Sequence, residues 1–148
     1  LHLHARDLML ISAELDHINV FPTVESYIKP FKELIGRIPK EGTITACITG
    51  ENVLGLIKSA NCKVITYALN NRNYKTDLKE HLAHWSAENI SYNKETSFTL
   101  LRDNKPVLEL KTELLGKHNV ENIVLWIRTE RFKSLQNILV LKFPKFMK

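Results

Sequence analysis

The sequence predicts an α/β fold: a parallel β-α-β-α-β unit followed by a small antiparallel three-stranded meander. Three observations predict it. Between residues 8 and 68, short apolar or β-branched runs alternate with segments of helical period, as parallel strands joined by crossover helices do. From residue 85 onward, three strand-like runs follow one another with no helix between them. Asp103-Asn104-Lys105 separates the last two runs, with alternation on both sides, as a hairpin turn does.

In chain order, Leu8-Met9-Leu10-Ile11-Ser12 reads as a buried strand bounded by Asp7. The stretch AELDHINVF follows and carries Glu14, Asp16 and His17 into the turn before a helix. In an open α/β sheet, ligands bind outside the carboxyl ends of the strands. Carboxylate oxygen and neutral imidazole both ligate metals, and a hard cation such as magnesium prefers oxygen. A helix cap beside a surface histidine is the plainer reading of the same residues.

Thr23 is placed to cap a helix running to about Arg37, with Val24, Ile28, Phe31, Leu34, Ile35 and Ile38 on its apolar face. Pro30 lies inside that pattern and is expected to kink or split the helix, because it lacks the N–H and crowds the preceding turn. Lys40-Glu41-Gly42 stops it. Residues 43–48 form a β-branched strand, residues 51–60 a short helix with Val53, Leu54 and Ile57 inward, and residues 62–68 a third strand. The crossovers should be right-handed. After a polar loop at 70–73, residues 74–84 are charged and helix-like. Strands are expected at 85–92, 97–102 and 107–114.

A chain of 148 residues can bury one core. No apolar run reaches the length of a membrane span. His2, His4, Arg6 and Asp7 interrupt the start, so it lacks a signal-peptide pattern. Opening on Leu1 rather than methionine is what a piece of a longer protein would show. Cys47 and Cys62 are expected as buried free thiols, which fits a reducing cytoplasm. The net charge of +5 is not spread evenly. Residues 117–148 carry seven Lys or Arg against two Glu, while 1–116 carry 14 of each sign. A basic tail of this kind either binds nucleic acid or an acidic partner, or is simply solvated.

His81 and His84 share a spacing seen in metal sites, but no third ligand lies near them in sequence, so they read as exposed helical histidines. There is no G-x-x-x-x-G-K-[ST] and no G-x-G-x-x-G. The second informative stretch is Leu114 to Asn122, which ends a strand and opens a helix. Asn119 and Asn122 are three apart and share one helix face. An asparagine amide sets a donor beside an acceptor and matches the N6/N7 edge of adenine. A helix cap with a spare amide is the alternative.

Together, ELDHINVF and the distant G-x-H-N-x-x-N resemble the central ATP-binding domain of the Mur ligase family, bacterial enzymes that join amino acids or peptides to UDP-N-acetylmuramate. The resemblance extends through Pro22, the helix to Ile38, Glu51-Asn52-Val53-Leu54 and Ser97 to Asp103. It is strongest toward the branch that recycles murein tripeptide. It implies an enzyme in which ATP phosphorylates a carboxylate and an amine then attacks the acyl phosphate. Positioning and magnesium carry most of such chemistry. It also implies that His17 ligates Mg2+, that Asp16 supports the metal loop, and that His118, Asn119 and Asn122 hold the adenosine end of ATP. Lys32 falls where some members carry a carbamylated lysine, and reads here as a solvated helix lysine. Ser12 and Asn19 stand where the branch has asparagine and aspartate. The implied phosphate-binding loop, the acidic magnesium-bridging segment and the two flanking domains are not among these 148 residues.

The expected organisation is therefore the C-terminal half of a Mur-type central domain over residues 1–122, with a basic, divergent tail over 123–148. The helix opened at His118 should reach Ser134 at most. Ile123 to Ile127 are five bulky apolar residues in a row, so some should face outward. The expected activity is that of a ligase fragment, inactive alone unless a separate chain supplies the missing half. The alternative is a small basic binding module acting through its tail, with nucleic acid the less favoured partner and no membrane role.

Overall fold

The computed structural model describes residues 5–14, 21–50, 52–70 and 83–129. The expectations for 74–82 and for the tail beyond 129 lie outside the described residues. The chain divides after Tyr67 into two compact units.

The first unit holds β1 (Asp7–Leu10), α1 (Val24–Arg37), β2 (Thr43–Cys47), α2 (Val53–Ile57) and most of β3 (Lys63–Leu69). β1 pairs with β2, and β2 with β3, all parallel, with Leu8 opposite Ile44 and Ile44 opposite Val64. Asp7 Oδ1 accepts from the Thr43 N–H at 2.9 Å and ties the first pair together at its start. Leu10, Ala13, Ile35, Ile38, Ile44, Ala46, Val53 and Leu56 form the core, so both crossover helices bury their apolar stripes with the strands.

Thr23 caps α1 as the sequence predicts. Its Oγ1 accepts from the Ser26 N–H at 3.1 Å, and Ser26 Oγ accepts in return from the Thr23 N–H at 3.2 Å. Pro30 does not split the helix, which is one element from Val24 to Arg37. The missing N–H of Pro30 removes one intrahelical bond, and the cap and the buried stripe outweigh that loss. α2 is shorter than predicted because it starts only after Asn52, whose φ of 61° lies outside the helical region.

The second unit holds β4 (Trp85–Tyr92), β5 (Thr96–Arg102), β6 (Lys105–Thr112) and α3 (Lys117–Thr129). The three strands form the predicted antiparallel meander. The turn between β5 and β6 is tighter than the three residues expected. Asp103 (φ 48°) and Asn104 (φ 62°) alone make it, and Lys105 already pairs with Arg102. Two successive positive φ values define the turn whose twist matches a hairpin. β6 begins two residues earlier than predicted and takes in Pro106, which sits at a register shift where no ladder N–H is needed. Asn89 (φ 53°) marks a bulge in β4, and its Nδ2 donates to Thr99 Oγ1 at 3.2 Å.

α3 runs without a break through Asn122 to Thr129. Val120, Ile123, Val124, Leu125 and Ile127 are buried, and Trp126 alone of the five-residue apolar run is exposed, at 37%. The helix expected from His118 thus crosses Asn122, and its described part ends at Thr129. Among the described residues, no helix is long and apolar enough to cross a membrane.

Candidate nucleotide-binding site

Each unit carries one of the two stretches singled out in the sequence. In the first, the segment bearing Asp16 and His17 lies outside the described residues, but both its flanks are fixed. Ala13 is buried, and its carbonyl accepts from Asn52 Nδ2 at 3.0 Å. Glu14 N–H donates to Ser12 Oγ at 3.2 Å. On the far side, Phe21 sets its ring edge-on to Tyr27 of α1 with centroids 5.3 Å apart, and Tyr27 in turn contacts Phe31.

Gly50 explains how the chain after β2 comes so close to the end of β1. A Cβ at Gly50 would lie 2.6 Å from the Ile11 carbonyl oxygen and 3.1 Å from Val53 Cγ2. Only glycine admits that approach. Among the described residues, no three His, Cys, Asp or Glu side chains come close enough to share a metal ion. Lys32 is exposed on α1, and Cys47 and Cys62 are free, with Cys47 buried and Cys62 half-buried.

In the second unit, the segment leaving β6 is tied down at Leu114 before α3 begins. Thr96 Oγ1 donates to the Leu114 carbonyl at 2.7 Å, and the Leu114 N–H donates to Thr112 Oγ1 at 3.2 Å. Gly116 then turns at φ 98°, a backbone few other residues adopt. The Asn119 N–H bonds to the Gly116 carbonyl at 3.2 Å, which closes the first turn of α3.

This arrangement places His118, Asn119 and Asn122 on the first two turns of one helix. Asn119 Nδ2 donates to the Leu115 carbonyl at 2.8 Å, which pins the amide plane. The amide keeps its second N–H and its Oδ1, and Oδ1 accepts nothing among the described residues. Asn122 is half-buried and makes no side-chain hydrogen bond among the described residues.

Glu121 meets His118 directly, and Lys117 and Tyr92 interact with Glu121 in turn; the sequence assigns none of the three to the site. Glu121 is buried, at 5% exposure. Its Oε2 meets His118 Nδ1 at 3.2 Å and its Oε1 meets Lys117 Nζ at 3.6 Å. The third, Tyr92 at the end of β4, has its phenol pushed above the ordinary range, first by burial and then by the Glu121 charge, with Lys117 opposing. The spacings Lys117 to Glu121 and His118 to Glu121 are four and three residues. Those spacings were the available signal.

The profile of the Mur ligase middle domain matches residues 9–128, a span that holds both stretches and runs past Asn122. Among curated relatives, a UDP-N-acetylmuramate–L-alanine ligase from Acetivibrio thermocellus is 32% identical over 124 residues, covering 82% of this chain and 24% of its own length. One with the same name from Clostridium tetani is 27% identical over 116 residues, covering 77% of this chain and 23% of its own. The chain thus spans about a quarter of the length of these relatives. Among solved structures, MurF from Acinetobacter baumannii superposes with a TM-score of 0.66 at 11% identity, over 96% of this chain and 30% of that one. UDP-N-acetylmuramate:L-alanyl-gamma-D-glutamyl-meso-diaminopimelate ligase from Neisseria meningitides gives 0.57 at 24% identity, over 78% and 32%. Likeness at these identities is likeness of fold.

Proposed function

This chain belongs to the Mur ligase family, and from that membership we propose that it is the adenine-receiving part of an ATP-dependent ligase that forms amide bonds on UDP-N-acetylmuramate. The observation that carries the reading is the pinned amide of Asn119. Held by Leu115, it offers one N–H and one carbonyl oxygen at fixed orientation, the pair that adenine N7 and N6 require. Asn122 stands one turn further along the helix with its amide uncommitted among the described residues.

Supporting the acid substrate, the curated relatives and the Neisseria ligase carry UDP-N-acetylmuramate in their names. They differ in the amine: L-alanine for the first and a peptide for the second. The motif at 12–21 favours murein tripeptide; the relatives' names favour L-alanine. Both readings keep the same activation of a carboxylate by ATP. Magnesium would supply charge neutralisation at the phosphates. His17, the ligand that the resemblance implies here, and Asp16 beside it lie outside the described residues. Two free cysteines support a cytoplasmic setting.

The test is nucleotide preference. Titrating ATP and GTP and following amide shifts should show weak binding that favours ATP, with Asn119→Ala costing about 1–3 kcal/mol of that preference. Equal binding of the two nucleotides, unchanged in the variant, would remove the reading.

A further inference from the structure

We infer that Glu121 is a positioning residue that selects the tautomer of His118, and through it turns the imidazole into a hydrogen-bond acceptor toward a nucleoside. The inference rests on the adenine-site reading for the identity of the ligand, but not for the tautomer itself.

Glu121 is buried while His118 above it is 90% exposed, so the ring is held from beneath and open above. As the carboxylate that pairs with Lys117, Glu121 can only accept hydrogen bonds. The atom it meets at 3.2 Å is Nδ1, so Nδ1 carries the proton. In the neutral ring one nitrogen donates and the other accepts, which leaves the Nε2 lone pair available. A bare imidazole nitrogen on an exposed helix start, one residue from the Asn119 amide, suits a hydroxyl or amino donor of a nucleoside. It does not suit a phosphate, which has no donor to give. Lys117 Nζ lies 3.6 Å from the other carboxylate oxygen, Oε1.

The test begins without nucleotide. Long-range proton–nitrogen NMR on the full chain, at a pH where the spectrum itself shows the ring neutral, reports which ring nitrogen is protonated. The wild type should show Nδ1–H. Glu121→Gln keeps a carbonyl acceptor at that place and should retain it, while Glu121→Leu should shift the ring to Nε2–H. Nε2–H in the wild type, or a Leu variant indistinguishable from it, would overturn the inference whether or not the chain binds ATP. The wild-type spectrum decides even if the Leu variant does not fold.

ATP affinity should then fall roughly 2- to 10-fold in Glu121→Leu, the loss of one hydrogen bond. If that dependence vanishes with a 2′,3′-dideoxy analogue, the donor is a ribose hydroxyl. If it vanishes with an analogue lacking the 6-amino group, the donor is on the base. A dependence that survives both changes would overturn the acceptor role.

Discussion

Ile127→Ala is the substitution that tests whether α3 is a rigid base for the site. Ile127 lies about one and a half turns beyond Asn122 and is 1% exposed. The change deletes three carbons. Burial of each is worth about 0.8 kcal/mol, so transfer alone gives about 2.4 kcal/mol. The cavity left behind adds to this, and the measured range for such truncations is about 2–5 kcal/mol. With a urea slope of about 1–3 kcal/mol per molar, a loss near 3 kcal/mol moves the unfolding midpoint down by about 1–3 M. Trp85 fluorescence is the probe, since that ring is buried in the same unit. A midpoint equal to wild type would show that the helix beyond Asn122 is not packed. The site residues would then have no fixed support.

Three further outcomes are expected. Gly50→Ala forces a Cβ against the Ile11 carbonyl, and should cost about 1–3 kcal/mol by thermal or urea unfolding; no change would mean that the two loops do not approach. Tyr92 should titrate by ultraviolet absorbance above the ordinary phenol value of about 10, and Glu121→Gln should bring it down part of the way, since burial remains. Because the folded state disfavours the phenolate, this contribution to stability is full below about pH 10 and is lost as pH rises through the folded value; a midpoint at or below 10 refutes it. Finally, the isolated chain should form no ADP above a protein-free control, because its sequence has no glycine-rich loop and lysine to hold the transferred phosphoryl group; magnesium-dependent ADP release lost in His17→Ala would refute that.

Much of the fold was legible because its signals were local. β-branched runs at 43–47 and 63–69, the helical stripe from Val24 to Ile38 and the Thr23 cap each declare themselves within a dozen residues. The errors were also local in kind. Pro30 signals a break that a capped helix with a buried face overrides, and Asn52 stops α2 short through a backbone angle that no periodicity reveals. At the site, G-x-H-N-x-x-N marked the helix start, but not what lies under it. Glu121 reads in the sequence as a surface charge. Only tertiary packing shows it buried beneath His118 with Lys117 beside it. The Leu115 carbonyl that pins Asn119 has no side-chain signature at all.

The two-residue turn at Asp103-Asn104 has a consequence for the order of events when the chain folds. It joins strands whose partners are neighbours in sequence, and a hairpin of that kind closes in about 1–10 μs. The parallel pair in the first unit must wait for contacts such as Asp7 with Thr43, 36 residues apart. Loop closure over that distance costs entropy before any pairing returns it, and non-local pairing slows folding. The β5–β6 hairpin is therefore where structure should nucleate within its unit. Positions in that turn should have φ-values near one, so that replacing Asn104 slows folding more than it speeds unfolding.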